Sequence, residues 1–146
     1  MQLTMPRFDK SQVLVIGDVQ DWLARGRELP TDELLVFREF VEFKPLAEHP
    51  ASRMPLIKEY RFFYLNSALI DIVRYWDIDG YQDDDMPPTD LFADVAKHVK
   101  SRFFTMDVAQ RPDGEWMIIE LGDAQVAGLP QSTNVDIIYR ALSGIH

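Results

Sequence analysis

Three carboxylates in the C-terminal part of the chain, Asp107, Glu120 and Asp123, have the spacing of a cation site. Asp107 lies in the run Phe104-Thr105-Met106-Asp107-Val108-Ala109. Glu120 and Asp123 close the run that starts at Trp116, and Arg111-Pro112-Asp113-Gly114 lies between the two. This pattern reads as two short strands joined by a tight turn. Paired strands bring opposed side chains within a few ångströms of one another. Magnesium and other hard cations take carboxylate oxygens and complete their shell with water or phosphate. Spacing alone supports a rival equally well: Asp107 bonding backbone near a strand end, and Glu120 paired with an arginine. Glu120 follows the apolar run Trp116 to Ile119, where the backbone is ordered and a carboxylate needs a partner.

A second cluster lies in Lys58-Glu59-Tyr60-Arg61-Phe62-Phe63. Strand alternation puts Glu59, Arg61 and Phe63 on one face. An arginine there can clamp a phosphate or carboxylate with two parallel hydrogen bonds. The commoner outcome for a Glu-x-Arg pair is a salt bridge on an exposed sheet face, and Arg38-Glu39 upstream carries the same ambiguity. His49, His98 and His146 are scattered, with no metal-ligand spacing, and are expected at the surface. No glycine-rich phosphate loop of the dinucleotide or Walker type is present. No serine sits in a nucleophile-elbow context.

These groups need a frame. Ser11 can cap a helix running to about Arg25, with Ile16, Val19, Trp22 and Leu23 on one face and Gly26 as its stop. A short strand from Val13 to Ile16, ended by Gly17, is the alternative. Leu34 to Phe43 alternates as a strand covered on both sides. Lys44 to Pro55, with proline at 45, 50 and 55, reads as a loop. Ile57 to Leu65 and Ala68 to Trp76 read as strands of a hairpin turning at Asn66-Ser67. Asp77 to Pro88 is an acidic loop. Its Asp83-Asp84-Asp85 run lacks the spacing of a calcium loop and reads as solvated.

Thr89 can cap a helix to about Arg102, with Leu91, Phe92, Val95, Ala96 and Val99 as its apolar stripe. Phe103 to Ala109 and Glu115 to Leu121 are the last strands. Thr133 or Asn134 can cap a closing helix with Val135, Ile138, Ala141 and Leu142 inward. The fold class is therefore α+β, an antiparallel sheet with helices packed on it. Residues 1–10 read as an N-terminal extension and 11–146 as a single domain.

Bulk properties narrow the function. The 146 residues are enough for one core, and 47% are hydrophobic, which argues against disorder. A formal charge of −9 excludes a general nucleic-acid binder, which needs a basic surface. It leaves room for a phosphate ligand held by a few arginines or lysines. The absence of cysteine excludes disulfides and thiolate chemistry. No signal-like N-terminus and no membrane-length apolar run is seen, so a cytoplasmic protein without membrane contact is expected.

The runs Phe37-Arg38-Glu39-Phe40-Val41, Lys58 to Phe63, Asp107-Val108-Ala109 and Ile119-Glu120-Leu121-Gly122-Asp123-Ala124-Gln125-Val126-Ala127-Gly128-Leu129-Pro130 resemble the C-terminal lobe of an ATP-grasp domain. The last run is the most specific and is similar to an uncharacterised bacterial and phage ATP-grasp group. The resemblance spans about residues 11 to 145. It implies ATP held between two α+β lobes, with Mg2+ bridging its phosphates, and a carboxylate ligase acting through an acylphosphate that an amine or thiol attacks.

By the same resemblance, Glu39, Phe40, Val41 and Glu42 form the hinge at the adenine, and Glu59 is the acid near the ribose. Arg61 is the catalytic residue near phosphate or substrate, and Asp107 and Glu120, with Asp123 beside them, are the metal ligands. Two departures stand out. Many family members carry Asn two residues after the metal-binding Glu, where this chain has Gly122. The upstream lobe and its phosphate-holding lysines have no counterpart, so a partial domain is expected. A homodimer, or a partner chain supplying that lobe, would complete it. A non-enzymatic interaction module that keeps a degenerate ATP-grasp fold is the alternative.

Overall fold

The computed structural model describes residues 40–51, 53–82 and 86–144. The expected helix from Ser11 to Arg25, and the strand from Leu34 as far as residue 39, lie outside them, as do Asp83-Asp84-Asp85, Glu39 and His146. The strand expected to end at Phe43 does not extend over its described part, since residues 40–43 are irregular.

Four strands form the main antiparallel sheet. The expected loop from Lys44 to Pro55 instead contains a small hairpin, β1 (Pro45–Glu48) paired with β2 (Pro55–Ile57). Proline was the misleading signal: both strands begin with one, and a first position has little need of a ladder N–H. The chain breaks at Lys58 and continues as β3 (Glu59–Leu65), then β4 (Ala68–Arg74). Helix α1 (Thr89–His98) follows, then β5 (Phe103–Gln110), β6 (Trp116–Asp123) and helix α2 (Val135–Ser143). The sheet order is β4-β3-β5-β6. The hairpin β1–β2 is stitched to the end of β5 through backbone. Lys44 N–H donates to Gln110 O at 2.7 Å, Lys58 N–H to Lys44 O at 3.0 Å, and Gln110 N–H to Lys58 O at 3.1 Å.

The central strand β3 is nearly all apolar because both its faces are covered. Tyr60, Phe62 and Tyr64 join Phe104, Met106 and Val108 of β5 under Phe92 and Ala96 of α1. Phe62 meets Phe92 edge-on at 5.6 Å, and Tyr64 stacks on Phe104 at 5.0 Å. On the opposite face Phe63, Val73, Ala124 and Ile138 form a smaller cluster under α2. That cluster covers one end of the face. The other end carries Glu59, Arg61 and Asp107.

Helix α1 is shorter than its sequence pattern suggested. It ends at His98, where Val99 turns extended, and Pro88 rather than Thr89 stands at its cap without a side-chain bond. Its buried line is Phe92 and Ala96, while Leu91 and Val95 face solvent. Helix α2 starts as expected at Asn134, whose side chain accepts from Asp136 N–H at 3.1 Å. Ile138 is its buried residue, and Val135 is exposed. No described helix is long and apolar enough to cross a membrane.

The β3–β4 turn places Asn66 at φ 50° and Ser67 at φ 64°, the left-handed pair of a two-residue hairpin loop. Asn tolerates this conformation, and serine does so at a cost. Ser67→Gly is therefore expected to raise unfolding stability by about 0.5–1 kcal/mol, read from the urea midpoint. A lowered midpoint would contradict the turn assignment.

Candidate functional site

Register, rather than sequence proximity, builds the site. Arg61 on β3 lies opposite Asp107 on β5, and Asp107 lies opposite Glu120 on β6. All three project from the same sheet face. Arg61 grips Asp107 in a fork: Nε donates to Oδ1 at 2.7 Å and Nη2 to Oδ2 at 2.6 Å. The pair is nearly solvent-free, with Arg61 at 7% and Asp107 at 1% exposure. The third nitrogen, Nη1, donates to the Gly128 carbonyl at 2.6 Å. The guanidinium also lies 4.9 Å from the centre of the Tyr75 ring, a favourable cation–π placement.

Each contact compensates a charge removed from water. A fork of charge-assisted bonds satisfies most of the donors and acceptors that burial would otherwise leave bare. The hydrogen bond to Asp107 raises the Arg61 pKa still further, against the opposing effect of burial. The salt bridge expected within Glu-x-Arg is replaced by this cross-strand pair, and the face is buried, not exposed. Asp107 bonds an arginine side chain rather than backbone.

Glu59 stands two residues along the same face and is 6% exposed. No hydrogen bond from a described residue reaches its carboxyl group, although its carbonyl accepts from Tyr81 Oη at 2.8 Å and Tyr75 N–H at 3.1 Å. Burial pushes its pKa from 4.5 up to about 8, the nearby Asp107 and Glu120 push it further, and Arg61 offsets part of the rise. Glu59 is thus a neutral acid at pH 7, with a proton that a nearby cation would release.

Asp123 does not join the other carboxylates. It pairs with Phe104, one step out of phase with Glu120, so the pleat turns it to the opposite face. Its Oδ1 accepts from Gln125 N–H at 2.9 Å and closes the turn after β6. Glu120 is exposed. Among the described residues no three of Asp, Glu or His gather closely enough to hold a metal by themselves. The donor set still fits magnesium in its usual manner, one or two carboxylates with water and phosphate for the rest, because each Asp107 oxygen keeps a lone pair beyond its bond to Arg61. Phe40 and Glu42 are exposed and Val41 is half-buried, all in irregular backbone. His49 lies in the β1–β2 connection, and His98 Nδ1 lies 2.7 Å from the Asp94 carbonyl at the end of α1.

A family model described as an ATP-grasp domain, the third family of its clade, matches residues 14–142. The chain belongs to this ATP-grasp family. No curated protein matches it, and no solved structure matches it. The α+β arrangement of antiparallel sheets and helices agrees with the ATP-grasp assignment.

The ATP-grasp frame gives meaning to Gly122, which stands where many relatives carry Asn. Gly122 lies opposite Thr105. A Cβ at 122 would come within 2.8 Å of Thr105 Oγ1. Thr105 is 1% exposed and branched at Cβ, so it cannot swing away freely. The side chain missing from 122 has its volume taken by Thr105 from the neighbouring strand.

Sequence reasoning missed Thr105, Tyr75 and the Gly128 carbonyl. Tyr75 was within reach of it: it follows Val73 by one pleat period, and Val73 pairs with Arg61. Gly128 gave no local signal, because its role depends on where a loop returns.

Two outcomes follow from this geometry. Glu59 has a folded-state pKa above its unfolded value, so its stabilising contribution is complete below pH 4.5 and is lost as pH rises through about 8. Wild-type stability should fall by up to a few kcal/mol across that window, and Glu59→Gln should flatten the profile in urea titrations at successive pH values. An unchanged slope would contradict the buried neutral acid. Separately, Gly122→Asn should cost about 1–3 kcal/mol by overpacking, and adding Thr105→Ala should recover most of it. Simple additivity of the two substitutions would contradict the steric account.

Proposed function

We propose that this chain carries the magnesium- and phosphate-facing side of an ATP-dependent ligase site. The observation that carries the reading is the buried Arg61–Asp107 fork, with Glu59 beside it and Glu120 across the next strand. Three acidic groups and one fixed guanidinium on a single sheet face suit a polyanionic ligand that arrives with its own cation. Asp107 and Glu120 hold magnesium, which when bound disperses charge on the transferring phosphoryl group. Arg61 meets a phosphate or acylphosphate oxygen with the N–H groups left over from its fork. Glu59 lies near the ribose, and residues 39–42 line the adenine. ATP activates a carboxylate for attack by an amine or thiol. The setting is the cytoplasm, and a second copy or a lysine-bearing partner chain faces this side across the cleft.

A second reading is favoured by one feature. Arg61 is already saturated along its Asp107 edge and by Gly128, as in a structural strut. A protein-interaction module that has kept the fold and lost ATP would retain such a strut for stability alone.

Thermal unfolding separates the two. Mg-ATP at millimolar concentration should raise the melting temperature, and saturation a hundredfold above Kd corresponds to about 2.7 kcal/mol. Glu120→Gln removes an exposed ligand without disturbing the buried fork, so it should leave the ligand-free melting temperature unchanged and abolish most of the shift. No shift in the wild type, or a full shift in Glu120→Gln, would contradict the proposed site.

A further inference from the structure

On the same sheet face, beyond the Arg61 fork, lies an open cavity of about 700 Å³. Its size is within the range of small-molecule sites. Phe103, Ile138 and Leu142 form its apolar wall, and the loop after β6 closes one side with Ala127 and Leu129. Arg102 stands in its lining, and no Asp or Glu does. This is a local inversion of charge in a chain with 24 acidic residues against 15 Lys and Arg.

Arg102 is held in place. Its Nε donates to Asn66 Oδ1 at 3.0 Å, and its own carbonyl accepts from Asn66 N–H at 2.6 Å. Asn66 is fixed in turn by the tight β3–β4 turn. No carboxylate of a described residue pairs with the guanidinium, so its outer nitrogens are available to a ligand. An apolar wall with one oriented cation at its edge selects a molecule with an apolar body and a single anionic end.

We infer that this cavity binds a small apolar carboxylate, with its carboxylate on Arg102 and its hydrocarbon body against Phe103, Ile138 and Leu142. The site is distinct from the proposed nucleotide site. Four strand steps separate Phe103 from Asp107, roughly 13 Å, so a carboxylate held at Arg102 is out of reach of groups at the Arg61 fork. The two regions share one connection. The loop that supplies Ala127 and Leu129 to the cavity also supplies the Gly128 carbonyl to Arg61. A ligand seated here stabilises the loop that receives the Arg61 hydrogen bond.

The test uses octanoate, with octan-1-ol as its neutral counterpart, titrated into the 15N-labelled full chain without nucleotide. It is therefore independent of the proposed ATP reading. Octanoate should shift amide signals of Phe103, Ala127, Ile138 and Leu142 with saturation, and bind at least about tenfold more tightly than octan-1-ol. Arg102→Gln, a substitution at an exposed side chain, should remove that preference and leave octan-1-ol binding unchanged. Ala127→Phe, which fills the cavity from the loop, should abolish both. Equal binding of the two probes, retention of the preference in Arg102→Gln, or shifts confined to other parts of the chain would overturn the inference.

Discussion

The buried fork between Arg61 and Asp107 is the interaction on which this side of the molecule depends. It fixes β3 against β5 at one register, because a slip of one residue would send both charges into the aromatic core. Removing either partner alone would leave the other charged, buried and unpaired, a loss of about 3–5 kcal/mol. Apolar packing supplies the bulk of the stability, through Phe62, Phe63, Tyr64 and Phe104. The fork supplies the alignment, and it anchors the loop after β6 through Gly128.

That alignment has an electrostatic consequence. Placing Asp107 between Arg61 and Glu120 spends most of the arginine's charge on one carboxylate. Glu59 receives too little compensation to stay ionised in a buried place, and its pKa rises to about 8. The site therefore rests with one carboxyl neutral, and it gains negative charge when a cation arrives. A face that becomes more acidic as it binds metal is suited to a metal–phosphate ligand, and this links the structural strut to the proposed chemistry.

Some of this was legible in the residues and some was not. Local patterns carried the β3–β4 hairpin at Asn66-Ser67, the Asp113-Gly114 turn, the Asn134 cap and the shared face of Glu59 and Arg61. Each depends on neighbours within a few positions. The Arg61–Asp107 pair spans 46 residues and depends on register, so spacing alone left Asp107 open between metal, backbone and arginine. Pro45 and Pro55 were read as loop markers because proline disfavours ladders. Their places at the starts of β1 and β2 evade that rule. Asp123 looked like a third ligand because it follows Glu120 so closely, yet an offset of three on a strand reverses the face. Gly122 was a departure from the family pattern without a cause until Thr105 was seen opposite it.

The central claim is that Arg61 and Asp107 act as one unit that sets the register of the sheet. A double-mutant cycle on unfolding stability tests it most directly, with Arg61→Met, Asp107→Leu and the two combined. The account predicts that each single substitution destabilises by several kcal/mol, and that the combined chain is more stable than either single variant, because no charge is left buried alone. Losses that simply add would contradict it.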